Sequence, residues 1–374
     1  MLTLVLVVIL AALVFEFING FHDTANSIAA SVATKVLTPG QAVSLAAAMN
    51  MIGALTGTAV AATIATGIVN TEVVEASSQL VLCALFGAIV WNLVTWWFGL
   101  PSSSSHALIG GLCGAAFSAS RNDWNSLIWV QSAGDWAHNK GLVWKVFVPM
   151  VTSPLVGFVL GILLMVLLWA LISGMERTGG VLRRLARPRW INAIFGKMQI
   201  VSAAYMGYAH GHNDAQKTMG VIALALVGAQ ASGALDDLPA WLAFLHPVAG
   251  SGDKDVATWI VVTCALVMAA GTASGGWRII KTLGHKMVKL QPLDGFAVDT
   301  SSATVLMAAA HFGMPVSTTH TVSTVIMGVG FAKNPRKLKL GTIERIVWAW
   351  ILTIPAAGGV AYGFYKLMAA AGLA

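Results

Sequence analysis

The residues best suited to chemistry in this chain come in matched pairs. Gly20-Phe21-His22-Asp23-Thr24-Ala25-Asn26-Ser27 is echoed by Gly211-His212-Asn213-Asp214-Ala215-Gln216-Lys217-Thr218, which sets Asp23 against Asp214. Pro101-Ser102-Ser103-Ser104-Ser105-His106 is echoed by Pro315-Val316-Ser317-Thr318-Thr319-His320, and between these Gly57-Thr58-Ala59 by Gly271-Thr272-Ala273. A carboxylate can take up a proton or a cation. Hydroxyls at the start of a helix, where free amides and the positive end of the dipole converge, can hold an anion. Each motif alone has an ordinary structural explanation: turn chemistry for the Gly/Asn/Asp segments, N-capping for the Ser/Thr clusters. Repeated in the same order, they point to two copies of one unit whose polar elements work together.

The elements that position them must lie in a membrane. Hydrophobic residues make up 57% of the 374 residues and charged residues 10%, against about 25% charged in a soluble domain. Mean hydropathy is +0.77. The composition predicts an all-α polytopic membrane protein. Stretches of roughly 20 mostly apolar residues, the length of a span, run over 2–18, 41–69, 79–99, 145–172, 191–209, 256–275, 293–311 and 346–370. The first has neither a basic leader nor a small-residue cleavage site, so it reads as a span and not a signal peptide. The shorter apolar pieces 107–118, 218–229 and 321–332 follow polar breaks and read as half-helices, with 79–118 and 293–332 as re-entrant hairpins.

Charge gives the orientation. The net charge of +7 comes from basic residues gathered in 173–190, 276–292 and 333–345, which the positive-inside rule assigns to the cytoplasm. Loops carrying Glu72, Glu75, Asp123, Asp135, Asp236, Asp237, Asp253 and Asp255 then face outward, and Trp124, Trp129, Trp136 and Trp144 suit an interfacial belt. Basic residues distributed in this way exclude a nucleic-acid partner. With each hairpin counted as non-spanning, the copies are inverted: 1–118 is the first repeat and 192–332 the second. Residues 119–191 form a linker with one transmembrane helix and a basic loop, and 333–374 a basic loop with a C-terminal span. Inverted repeats with broken helices meeting near the midplane are the architecture of secondary transporters. Cys83, Cys113 and Cys264 lie inside apolar stretches and read as packing residues. No Walker-type phosphate loop or dinucleotide fingerprint is present.

Ionisable residues at membrane depth are costly and need a reason. Two hydroxyl tips (Ser103, Ser104 and Ser105; Ser317, Thr318 and Thr319) facing each other across a pseudo-two-fold axis would cage a small tetrahedral oxyanion. With Asp23 and Asp214 in that cage, an anion that still carries a proton is favoured, phosphate over sulfate, provided a cation offsets the repulsion. Asn26, with backbone carbonyls of broken helices, can coordinate an ion. Lys217, at the position matching Asn26, offers a fixed positive charge or snorkels to the interface. His22, His210 and His212 are candidates for proton coupling, while His106 and His320 cap or orient the tips or carry protons. Glu16 and Asp299 are either further coupling carboxylates or are paired within the bundle.

On these signatures and tips the chain resembles the inorganic phosphate transporter (PiT) family, and its bacterial low-affinity branch in particular. The resemblance rests on a duplicated Gly-x-Asn-Asp-x-x-Asn type signature and a Pro-x-Ser-Thr-Thr-His type tip in each half. It implies a secondary carrier of the cell inner membrane, not an enzyme, importing phosphate with a coupling cation and needing no cofactor. Asp23, Asn26, Asn213, Asp214 and the tip hydroxyls would form the substrate and ion sites. Two departures, His22 and Lys217 where sodium-coupled members typically have Asn, favour a proton over sodium. The coupling set then comprises His22, Asp23, Asn26, His212, Asp214 and Lys217. The cargo is free phosphate or a divalent metal–phosphate complex, and a homodimer is left open. The alternatives are a sodium-coupled phosphate symporter, a sulfate or other oxyanion permease on the same fold, a passive anion channel, and an intramembrane hydrolase built on Ser104 or Ser105 with His106.

Overall fold

The computed structural model describes residues 2–132, 134, 139–247, 256–285 (His285 by its backbone alone) and 287–373; Asp135, Trp136, Asp253 and Asp255 fall outside them. Among the described residues the chain is α-helical, with no β-strand. Helix α1 (Leu2–Ala33) is followed by α2 (Pro39–Ala54), which starts at a capping box of Thr38 and Gln41. A bend of 68° leads into α3 (Ala59–Thr66). Helices α4 (Ser78–Phe98) and α5 (Ser104–Ala119) form a hairpin, and α6 (Val148–Thr178) is extended at its start by a π turn, Val143–Phe147. A short α7 (Gly180–Leu185) precedes α8 (Pro188–Ala231). Next, α9 (Thr258–Ser274) bends by 70° into α10 (Trp277–His285); α11 (Pro292–His311) and α12 (Thr318–Lys333) form a second hairpin, and α13 (Leu340–Ala370) closes the chain.

The order therefore recurs: long helix, bent pair, hairpin, long helix. Both closing helices carry an internal proline, Pro154 and Pro355. A long helix, a bent pair and a further long helix cross three times while the hairpin returns to its own side, so α8 sets out from the face that α1 reaches. The protein is an all-α polytopic membrane protein built of two units of inverted topology, with bent spans and re-entrant hairpins.

The breaks do not all fall where the apolar runs suggest. Residues 41–69 are not one straight span but the bent α2–α3 pair. The signatures 20–27 and 211–218 interrupt nothing: each lies within a continuous helix. Residues 191–209 and 218–229 are thus one 44-residue helix, not a span followed by a half-helix. Neither signature contains proline, and a single glycine costs a helix only about 1 kcal/mol. Unwinding in lipid would strand backbone groups at several kcal/mol each. Gly20 and Gly211 instead permit close crossings. A Cβ on Gly20 would lie 2.6 Å from the Met268 carbonyl of α9, and one on Gly211 2.1 Å from the Asn50 carbonyl of α2. At the hairpin tips the helices stop at left-handed glycines, Gly99 (φ 63°) and Gly313 (φ 61°), before the prolines are reached.

Apolar burial brackets the centre. One core gathers the first half of α1 with α3, α4, α5 and the last third of α8; another gathers the second half of α1 with α2, α10, α11 and α12. Large residues such as Leu155, Val159 and Leu163 of α6 face outward, as a lipid-facing surface requires. The closing helices cross over, with α6 packing on α12 and α13 on α5.

Candidate substrate and ion site

Between the two cores lies a buried polar layer. Asp23 and Asn26 on α1, and Asp214 and Lys217 on α8, are each three residues apart, so each pair shares a helix face. Ser103 caps α5 by accepting the His106 amide, and Ser317 caps α12 by accepting the His320 amide, both at 3.1 Å. The remaining first-turn amides, at Ser104 and Ser105 and at Thr318 and Thr319, have no acceptor within their own helices. Asp23, Asn26, Asp214, Lys217 and the tip hydroxyls are all at most 3% exposed.

The contacts repeat with the pseudo-two-fold. The Asn26 carboxamide donates to Thr319 Oγ1 at 2.9 Å and Thr318 Oγ1 at 3.2 Å, so the first unit's signature holds the second unit's tip. The Lys217 ammonium donates to Ser105 Oγ at 2.5 Å, so the second unit's signature holds the first unit's tip. Ser105 and Thr319 are matching positions, as are Asn26 and Lys217. Lys217 also bonds Asp214 Oδ1 and the Val316 carbonyl, the latter at 3.1 Å. Thr319 donates to Asp23 Oδ1 at 3.2 Å, and Thr318 to Asp214 Oδ2 at 3.1 Å.

Histidines extend the network. His22 bridges Asp23 Oδ1 (2.9 Å) and Thr95 Oγ1 (3.2 Å), which also accepts Ser102 Oγ (2.7 Å). His210 Nε2 lies 3.1 Å from Asp214 Oδ2, while its Nδ1 meets Asn50 Oδ1 at 3.2 Å; Asn50 in turn donates to Thr272 at 2.8 Å. Asp23, His210 and Asp214 present donor atoms within 4.8 Å of one another, close enough for a single cation. His106 and His320 meet edge to face, their ring centroids 4.7 Å apart, behind the tips.

Several groups here have no partner: Ser104 Oγ, Asn26 Oδ1, both side-chain polar atoms of Asn213, His106 Nδ1 and His320 Nε2. A buried unpaired polar group costs about 1–3 kcal/mol. Such a concentration on the opposed helix starts and the two signatures suits a ligand that would satisfy them. The ordinary explanation of capping holds for Ser103 and Ser317, whose hydroxyl oxygens serve their own helices. It does not extend to Ser104.

Not every candidate lies in the cluster. His212 is only half-buried, bonded to Thr56 Oγ1 at 3.0 Å and stacked on Tyr208, so it faces the α2–α3 bend. Residues two apart on a helix lie on nearly opposite faces, which separates it from Asp214. Asp299 is buried on α11 beside Gln199 and Ser202, in the second apolar region and away from the tips. The positions that sequence reasoning missed are Thr95, Asn50, Thr272 and the Val316 carbonyl. Each is neutral, and each is brought in by another element.

The hydrolase arrangement is not formed. Ser105 donates to the Val316 carbonyl at 3.4 Å and accepts from Lys217, not His106.

Comparison with known proteins bears on this geometry. The model of the family described as "Phosphate transporter family" matches residues 19–361. The chain is 40% identical over 366 residues to a Bacillus subtilis protein called "Probable low-affinity inorganic phosphate transporter", covering 97% of both. It is 42% identical over 351 residues to a Rhizobium meliloti protein of the same name, covering 93% of this chain and 92% of that one. A solved structure described as "The sodium-dependent phosphate transporter" superposes with a TM-score of 0.77 at 23% identity, covering 98% of this chain and 99% of that chain, and shows the same fold.

Proposed function

Because the chain belongs to the phosphate transporter family, we propose that it imports inorganic phosphate across the cell membrane by cation symport, with the proton as coupling ion. Family membership makes it a transport protein and not an enzyme. The observation that carries the mechanistic reading is the crossed contact of the two units: each signature grips the other unit's tip, with Asp23, Asp214 and Lys217 between them.

Phosphate near neutral pH both donates and accepts hydrogen bonds. Its proton suits Asp23 or Asp214. Its oxygens suit Ser104, Thr318, Thr319, the tip amides and the Lys217 ammonium, with Asn26 and Asn213 completing the shell. Sulfate lacks the proton and would meet the carboxylates by repulsion alone. As described, Thr318, Thr319 and Lys217 already satisfy the carboxylates. A ligand must displace those bonds, and preorganisation of this kind against the ligand lowers affinity.

Lys217 favours the proton as driver. Its ammonium stands where the pseudo-symmetric Asn26 has only a neutral carboxamide, and so disfavours a metal cation on that side. The pairs His22–Asp23 and His210–Asp214 offer proton-exchanging groups beside the anion. A second reading draws on the convergence of Asp23, His210 and Asp214 within 4.8 Å: a divalent cation enters as part of the cargo, bound to phosphate. The basic segments 173–190, 276–292 and 333–345 would face the cytoplasm.

Uptake by purified protein in liposomes tests this, with proton and sodium gradients imposed separately, with and without magnesium, and with sulfate and arsenate as competitors. A proton gradient should drive accumulation, and arsenate should compete where sulfate does not. Accumulation driven by sodium alone would reject proton coupling, effective competition by sulfate would reject the phosphate preference, and uptake that never exceeds equilibrium would leave a channel.

A further inference from the structure

Glu16 lies outside the cage, two helical turns before Asp23 on α1, about 10 Å along the helix axis. It is wholly buried, at 0% exposure. Its neighbours on α1, Ala12 and Phe15, belong to the apolar core on the side where α1 begins, the outer side by the loop charges. Its Oε2 accepts the hydroxyl of Thr218, which follows Lys217 on α8 and stands one turn beyond Asp214. Its Oε1 has no partner, nor has the carboxamide oxygen of Asn19, one turn on. The ionisable groups facing it are Asp214 and Lys217 from α8 and the Cys264 thiol from α9.

A carboxyl so enclosed has to be met by a cation, a metal ion or a proton. The nearest ammonium, that of Lys217, is committed to Asp214, Ser105 and the Val316 carbonyl. The oxygens at hand are the two of Glu16, the Asn19 carbonyl and the Thr218 hydroxyl. A hard metal ion takes six or more. A proton needs only one oxygen to sit on, and the otherwise unpaired Glu16 Oε1 supplies it, with the Asn19 carboxamide facing the same carboxyl group.

We propose that Glu16 is the residue that carries the coupled proton, separately from the phosphate site, an inference that rests on the proton-symport reading above. In the outward-facing state water delivers a proton to Oε1. The carboxylic acid then crosses with the loaded cage, and the same proton leaves to cytoplasmic water after phosphate is released. No electron moves and no bond of the substrate changes. Thr218 links the two sites, because the hydroxyl that holds Oε2 sits on the same helix as Asp214 and Lys217 of the cage.

The test separates exchange from driven uptake. Glu16→Gln keeps the shape and the Thr218 contact but cannot release a proton. In liposomes loaded with phosphate, this variant should exchange labelled phosphate within about twofold of the wild type. Accumulation driven by an imposed proton gradient should fall at least about tenfold. Glu16→Asp, which retains a titrating group, should recover part of the driven uptake. Proton-driven accumulation by Glu16→Gln at the wild-type level would overturn the proposal. Loss of exchange together with driven uptake would also overturn it, by making Glu16 part of the binding or folding machinery. A wild type that ignores the proton gradient and answers only to sodium would instead bring down the symport reading on which the proposal stands.

Discussion

Lys217→Asn makes the second signature chemically like the first, and the structure gives the size of the effect. The ammonium holds Asp214 Oδ1, Ser105 Oγ at 2.5 Å and the Val316 carbonyl at 3.1 Å, so one charge joins a carboxylate to both tips. Removing one partner of a buried ion pair costs about 3–5 kcal/mol, because the other charge is left uncompensated. The loss has a ceiling, since Asp214 can take a proton instead: neutralising an ordinary carboxyl of about 3.9 at pH 7 costs about 4 kcal/mol. His210, 3.1 Å from Asp214 Oδ2, recovers part of that. A net loss of about 2.7 kcal/mol, or roughly 100-fold in apparent phosphate affinity, is expected. The assay is concentration-dependent uptake of labelled phosphate into liposomes under a fixed proton gradient, with the sodium concentration varied. Added sodium should restore some affinity, because the new carboxamide offers a neutral oxygen where the ammonium stood. A KM within about threefold of the wild type at low sodium would refute the assignment of Lys217 as counter-charge to the bound anion.

Other substitutions divide the roles of neighbouring residues. Asp23→Asn and Asp214→Asn should each abolish transport while the protein still inserts and elutes as a single species; normal uptake by either removes that aspartate from the mechanism. Ser104→Ala and Thr318→Ala should each raise the apparent KM by the loss of one charge-assisted hydrogen bond, about 1.5–3 kcal/mol. Ser103→Ala, which removes only a cap, should instead lower the melting temperature through a loss of about 1 kcal/mol; equal KM effects at Ser103 and Ser104 would erase the distinction. His212→Ala should leave proton-driven uptake close to wild type, because the ring faces Thr56 and Tyr208, and a large loss would put it back among the coupling groups.

Much of this site was legible because it is duplicated and because membrane residence makes polar residues conspicuous. The pairing of Asp23 with Asp214, and of Ser103–Ser105 with Ser317–Thr319, needed only the order of motifs, and the helix starts at Ser104 and Thr318 followed from the proline and hydroxyl pattern. The setting of the signatures was less legible. Read as helix breaks, residues 211–218 carry no face. Read as continuous helix, as α8 is, His210, Asp214 and Lys217 fall on one side and His212 on the other, so the 3.6-residue period would have set His212 aside. Thr95, Asn50 and Thr272 could not have been found this way. They are neutral and lie on α4, α2 and α9; Thr95 joins the network through His22, and Asn50 and Thr272 lie at the close crossings of Gly211 and Gly20. The crossover of α6 and α13 was hidden for a related reason, since helices that face mostly lipid do not advertise their neighbours.

That crossover bears on what can move. If each unit were a rigid block, alternating access would be one unit rocking against the other around a fixed site. The packing divides the chain differently. Helices α1, α2 and α3 interleave with α8, α9 and α10, drawing both units into one centre, while hairpin α4–α5 packs with α13 and hairpin α11–α12 with α6. Each hairpin is thus tied to the other unit's closing helix and can travel with it only by sliding past the shared centre, where α11 also packs on α8 and α4 on α1. Cross-links distinguish the two schemes. Phe86 of α4 stacks on Phe364 of α13, their centroids 4.2 Å apart, within one such block. The Arg278 guanidinium of α10 donates to the Trp97 carbonyl of α4 at 2.7 Å, across a block boundary. Bridging cysteines at 86 and 364 with a short bifunctional reagent should leave uptake intact, although it ties the first unit to the second. Bridging cysteines at 97 and 278 should stop uptake until the bridge is cleaved. Inhibition by the 86–364 bridge, reversed on cleavage, would return the motion to whole-unit rocking.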